Sequence, residues 1–203
     1  MNDPNHSKAG SDPSVAPAVD VGDSDAEPRP LLVDIVIDDD GWAVIDRVEN
    51  AVADAAFAVA SRSGLIERPS EATIALASDA EVAELNGAYR SKPTPTNVLS
   101  FPASPPHPGH PKPDRHSLGD IILARETVLR EAAEQHIVPV HHLQHLVVHG
   151  LLHLLGYDHQ TDSDAEIMEA LEISILAGMS IPDPYAAGSL VASPDLQITS
   201  KEP

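Results

Sequence analysis

Large apolar side chains are almost absent from both ends of this chain, and that distribution sets what it can fold into. Residues 1–30, MNDPNHSKAGSDPSVAPAVDVGDSDAEPRP, are Pro, Ser, Gly, Asp and Ala with almost nothing bulky to bury. Such a segment cannot offset its ordering entropy and is expected to be a disordered tail. Residues 186–203, AAGSLVASPDLQITSKEP, follow a PDPY turn with only weak patterning and are expected to be a second tail. A single folded domain is therefore expected over 31–185. Neither end supplies a basic segment followed by an apolar core, so no secretory signal is read. No apolar run approaches the roughly 20 residues that span a bilayer, and a cytoplasmic protein with no membrane partner is the expectation.

Within 31–185 the periodicity changes along the chain. LLVDIVID (31–38) alternates apolar and acidic residues, as a strand with one buried face does. From Trp42 to Arg62 the apolar positions Val44, Ile45, Val48, Val52, Ala55 and Val59 recur at helical spacing, and Gly64 stands where a C-cap belongs. ATIALA (72–77) reads as a second strand, and Ser78-Asp79 can cap a helix that buries Val82, Leu85 and Tyr89. VLSF (98–101) is a short strand, and LGDIILA (118–124) is another. Between them PASPPHPGHPKPDRHS (102–117) is an exposed excursion that proline keeps out of any sheet. Helices follow at 125–135, at 139–155 ending at Gly156, and from Asp162 to Ala177 ending at Gly178. The order strand-helix-strand-helix-strand-strand-helix-helix-helix predicts an α+β fold, a small mixed sheet packed against several helices.

The chemistry is concentrated in HHLQHLVVHGLLHLLGYDHQTD (141–162). On a helix, His149 and His153 project from one face one turn apart, a separation that can chelate one metal ion. Gly156 can take the left-handed conformation that turns the chain back, letting His159 approach the same point. With no cysteine in the chain, thiolate sites and disulfides are excluded. Three imidazoles then leave a coordination position for water, the arrangement of catalytic zinc. Spacing alone also admits His145 with His149, since His141 and His145 extend the same row. The combination HxxxHxxGxxH selects 149, 153 and 159. His136, His141, His142 and His145 are read as surface or supporting residues, and His6, His107, His110 and His116 as solvated. The pattern differs from the zinc-peptidase frame HExxHxxGxxH at one position, where Gly150 replaces the Glu that serves as general base. Asp158 and Glu172 are the nearby carboxylates able to substitute, with helix-terminal or surface roles as their ordinary reading.

Four ordered segments together resemble the YbeY endoribonuclease, or rRNA maturation factor, family: HGLLHLLGYDH (149–159), LNGAYRSKPTPTNVLSFP (85–102), LGDIILA (118–124) and MEALEISIL (168–176). The resemblance implies a zinc-like ion on His149, His153 and His159, and Arg90 and His149 as catalytic residues. It also implies cleavage of single-stranded RNA, maturation of the small-subunit rRNA 3′ end, ribosome quality control, and the small ribosomal subunit with its assembly factors as partners. A guanidinium at Arg90 suits that role because its planar fork grips phosphate oxygens. Thr96, Asn97 and Ser100 can bond the loop or the substrate, and Asp120 is either buried and paired or turned to the cleft. A metzincin-like zinc peptidase, or a non-catalytic assembly factor with structural zinc, are the alternative readings.

Charge sets a condition on that function. The chain carries 32 Asp+Glu against 12 Lys+Arg, for a net charge of -20. The 31–185 segment keeps 24 acids against 9 bases, so the tails do not account for it. Such a chain repels a phosphate backbone at long range and is expected to bind free RNA weakly and with strong salt dependence.

Overall fold

The computed structural model describes residues 30–104 and 114–186. The expected tails, apart from Pro30 and Ala186, lie outside the described residues, as do His6, His107, His110 and most of the proline-rich excursion. Four strands, β1 (Leu31–Ile37), β2 (Ser70–Ala77), β3 (Val98–Pro102) and β4 (His116–Ala124), form one sheet in the order β1-β2-β4-β3. The β1–β2 and β2–β4 pairs are parallel and β3 runs antiparallel to β4, which makes the sheet mixed and leaves β3 at an edge. Five α-helices complete the α+β fold: α1 (Val48–Ala60), α2 (Asp79–Arg90), α3 (Arg125–Glu134), α4 (Pro139–Leu154) and α5 (Asp162–Gly178).

The main core lies between one sheet face and α1, α3, α4 and α5, where Ile74, Ile121 and Leu123 meet Val52, Val147 and Leu151. The other face carries a smaller core under α2, built on Val82, Leu99 and Ala124. Ser78 caps α2 in a reciprocal capping box with Glu81, so the expected start of that helix holds. The helix expected from Trp42 does not begin there. Trp42 is fully buried and its indole N–H donates to Ala77 O at 3.0 Å, anchoring a short 3-10 helix over Asp40–Val44. The chain then passes through extended Ile45 and left-handed Arg47 before α1 begins at Val48. Burying one large indole overrides the helical periodicity that Val44 and Ile45 share with the segment that follows.

The proline-rich excursion is also shorter than expected. Pro102 belongs to β3 and His116-Ser117 open β4, His116 pairing with Ser70 rather than standing in a solvated loop. Pro102 is tolerated because it sits on an edge strand.

α4 occupies the centre of the helical layer, and a glycine lets it reach the sheet. A Cβ at Gly150 would stand 3.0 Å from both Cδ1 and Cγ2 of Ile121 and 3.2 Å from Ser100 Oγ. The position that holds Glu in the zinc-peptidase frame is thus a close-packed contact between α4 and strands β3 and β4, where even a Cβ is crowded.

Candidate metal centre

α4 ends in a glycine turn that follows from its sequence. Leu155 closes the helix, Gly156 takes φ +93°, and the Tyr157 N–H returns to Leu152 O at 3.0 Å while the Gly156 N–H reaches His153 O at 3.0 Å. This pair of bonds satisfies the last carbonyls of the helix and needs a left-handed residue where Gly156 stands. The turn aims the Tyr157 carbonyl back at His153, whose Nδ1 lies 3.0 Å away. Beyond it Asp158 accepts from the His159 N–H at 2.8 Å and from Gln160 Nε2, bonds that lower its pKa and commit its carboxylate to the turn. Thr161 then caps α5.

The expected three histidines are brought together. Their ligating nitrogens lie within 4.8 Å of one another, His149 and His153 half-buried and His159 exposed. The Nε2 atoms of His149 and His153 are 3.0 Å apart. The His159 ring lies 5.6 Å from that of His149 and 5.0 Å from that of His153.

The partners of the other ring nitrogens fix the tautomers. Tyr157 O can only accept, so His153 Nδ1 carries a proton; His149 Nδ1 is 2.7 Å from Glu172 Oε1 and donates to it. With both rings neutral, each Nε2 would carry a bare lone pair and the two would face each other at 3.0 Å. A cation between them relieves that repulsion. Burial, followed by the nearness of His149 and His159, lowers the pKa of His153 and keeps it a neutral donor. The donor set therefore fits a zinc-like ion, with a carboxylate and a main-chain carbonyl orienting two of the imidazoles.

Glu172 is the residue that sequence reasoning misjudged. It is not a surface or helix-terminal acid: it is fully buried, and accepts from His149 Nδ1, from His145 Nε2 at 3.1 Å and from the Tyr185 hydroxyl. Burial pushes its carboxyl up, but the hydrogen bonds from His145, His149 and Tyr185 outweigh this and hold it at about 2. Tyr185 is pushed up in turn, by burial and then by that carboxylate. A signal was present in the sequence: Glu172 shares a helical face with Met168, Ile175 and Leu176, all buried.

His142 is not a surface residue either. It is buried, with Nε2 2.9 Å from Glu131 Oε2, an oxygen that also accepts from Asn97 Nδ2 at 2.9 Å. Asn97 Oδ1 accepts from the Val98 N–H at 2.7 Å, a bond within its own loop. Asp120 is exposed and pairs with Phe101, which belongs to the α2 face of the sheet, so it is turned away from the histidines. Arg90 is the last residue of α2, and its side chain lies outside the described residues. Between β3 and the glycine turn lies a polar cleft of about 550 Å³, lined by Val98, Ser100, His149, His153, Asp158 and His159 among others. Among the described residues no helix is long and apolar enough to cross a membrane.

The family model described as endoribonuclease YbeY matches residues 37–180. An endoribonuclease YbeY of Azorhizobium caulinodans is 49% identical over 158 residues, covering 77% of this chain and 97% of the relative. One of Allorhizobium ampelinum is 45% identical over 163 residues, covering 78% and 96%. Among solved structures, a Thermotoga maritima protein determined in solution matches with a TM-score of 0.44 and 21% identity, over 73% of this chain and 92% of that one.

Proposed function

The chain belongs to the endoribonuclease YbeY family, and from that premise we propose that it is a metal-dependent endoribonuclease that cuts single-stranded RNA. Its biological setting in this reading is the cytoplasm, where it matures the 3′ end of the small-subunit rRNA and serves ribosome quality control, with the small subunit and its assembly factors as partners. One observation carries the reading: two imidazole Nε2 atoms face each other at 3.0 Å with a third imidazole beside them, in an open polar cleft.

In this reading His149, His153 and His159 hold one zinc ion. Bound there, zinc would supply a Lewis acid that polarises a phosphoryl oxygen and acidifies the nucleophile, water or the RNA 2′-hydroxyl. The chain's own groups prepare that chemistry. Glu172 fixes the tautomer and rotation of His149, and is itself held by His145 and Tyr185. Tyr157 O does the same for His153. Arg90, at the end of α2, is assigned the grip on the phosphate, where a fixed guanidinium charge offsets charge gathering on the phosphoryl oxygens. The peptidase reading lacks its general base, because Gly150 is packed against Ile121 and Ser100.

The test is metal analysis of the purified protein coupled to cleavage of a single-stranded RNA with and without chelator. Wild type is expected to hold about one zinc per chain and to lose cleavage on chelation. His153→Ala is expected to lose both metal and cleavage, and Arg90→Ala to keep the metal and lose about 100-fold in rate. Unchanged metal content and unchanged cleavage in His153→Ala would sink the proposal.

A further inference from the structure

β3 is the edge of the sheet, and its antiparallel ladder with β4 determines which of its backbone groups face outward. In such a ladder successive residues alternate between exchanging both main-chain bonds with the neighbour and turning both groups away. The phase is fixed at each end: Ala124 N–H donates to Asn97 O at 2.9 Å, and Ala103 N–H donates to Leu118 O at 2.9 Å. Residues 97, 99, 101 and 103 therefore face β4, and Val98, Ser100 and Pro102 turn their main-chain groups to the open edge.

Two of those outward positions offer no free donor. The Val98 N–H is taken by Asn97 Oδ1 at 2.7 Å, and Pro102 has no N–H. The Ser100 N–H is left, and among the described residues nothing accepts from it. Its place is specific. Ser100 lines the cleft with the three histidines, and its hydroxyl donates to the carbonyl of Gly150, the residue after His149, at 3.4 Å.

We infer that the Ser100 main-chain N–H is a substrate-binding donor that takes a non-bridging oxygen of the phosphodiester lying in the histidine cleft. The inference rests on the endoribonuclease reading and adds to it a group that strengthens as charge builds on that oxygen. A main-chain N–H on a rigid strand suits this because it is already oriented and adds no charge of its own. The occupant is a phosphodiester rather than an extended peptide. A peptide strand added to an edge needs repeated donors on alternate residues, and Asn97 and Pro102 remove the flanking ones, whereas one donor matches one anionic oxygen.

Ser100→Pro removes the N–H without breaking the ladder, since Ser100 donates nothing to β4, and Leu99 before it is already extended. Ser100→Ala keeps the N–H and removes only the hydroxyl. Cleavage of single-stranded RNA is measured as kcat/KM, together with substrates in which sulfur replaces each non-bridging oxygen of the scissile phosphate in turn. Ser100→Pro is expected to lose about 100-fold, Ser100→Ala only a few-fold. One sulfur diastereomer should be slowed in wild type and Ser100→Ala and show no such penalty in Ser100→Pro. If Ser100→Pro does not fold, an ester in place of the Leu99–Ser100 amide, made with the hydroxy-acid analogue of serine, deletes the same hydrogen and is expected to lose the same rate. Wild type cleaving RNA while the proline or ester variant matches Ser100→Ala in rate and sulfur effects overturns this inference and leaves the endoribonuclease reading standing. Wild type failing to cleave with metal present overturns that reading, and the inference with it.

Discussion

The two halves of α4 carry the same residue type on neighbouring turns and use it differently. His142 and His145, in the first half, each direct Nε2 at a carboxylate, Glu131 on α3 and Glu172 on α5. His149 and His153, in the second half, direct Nε2 at each other. Exposure does not separate them, since the side chains of His145 and His149 are 16% and 21% exposed. What separates them is the partner. An imidazole whose Nε2–H already meets a carboxylate has no lone pair there to offer a metal, whereas two bare Nε2 atoms at 3.0 Å leave a place that only a cation fills well. Helical spacing admits His145 with His149 as readily as His149 with His153. The choice is made by α3 and α5, which bring carboxylates to Nε2 of His142 and His145 but only to the far nitrogen, Nδ1, of His149.

The largest expected effect contrasts one residue from each half. His149→Ala is expected to lower bound zinc from about one per chain to nearly none, read by elemental analysis after gel filtration. His142→Phe, which fills a similar volume, is expected to leave the metal content unchanged. Equal metal loss in both variants would erase the distinction between the halves.

Glu172 belongs to both halves, one oxygen serving His149 and the other His145 and Tyr185, so changing it sharpens the comparison. In Glu172→Gln one acceptor becomes a donor, and His149 loses a charged partner for its Nδ1–H. Zinc affinity is expected to fall about 10- to 100-fold, measured by competition with a chelating dye, with the fold retained at a cost of about 1–3 kcal/mol. Affinity within a factor of two or so of wild type would mean that Glu172 holds α5 to α4 without tuning the metal centre.

The fold was legible where local chemistry and tertiary packing agree. Ser78 and Glu81 start α2, and Gly156 stops α4, because the groups they satisfy lie within a few residues of them. The start of α1 was not legible, because what displaces it is the bond from Trp42 to Ala77, formed across 35 residues. The same division holds at the metal centre. His149, His153 and His159 could be grouped from spacing and one glycine, but Glu172 reaches His149 across 23 residues and from a different helix. Its only local sign was a charged residue inside an apolar stripe. In the sequence Gly150 stands only as a missing base, whereas its environment shows a contact surface: the helix that carries the histidines lies directly on Ile121 and Ser100.

The smallest expected effect lies in the first half of α4 and is a matter of pH. His142 donates from Nε2 to Glu131, so its Nδ1 carries the lone pair, and that atom is buried with no partner among the described residues. A second proton there would have nothing to bond. Burial accordingly lowers the His142 pKa below its ordinary 6.5, more than Glu131 raises it, and His145, with its ring 6.3 Å away, adds to the lowering. With the folded value below the unfolded one, the unfolded chain binds the extra proton as pH drops through 6.5, so stability falls on acidification and rises with pH. The slope from one such group is at most about 1.4 kcal/mol per pH unit. Urea unfolding in chelator at about pH 7.5 and about pH 5.5 isolates it when wild type is compared with His142→Phe, because the other histidines titrate in both proteins. Wild type is expected to lose more stability than the variant across that interval. Equal losses would mean that protonated His142 finds an acceptor in the folded protein, and the buried half of the helix would then resemble the metal-binding half more closely than its hydrogen bonds indicate.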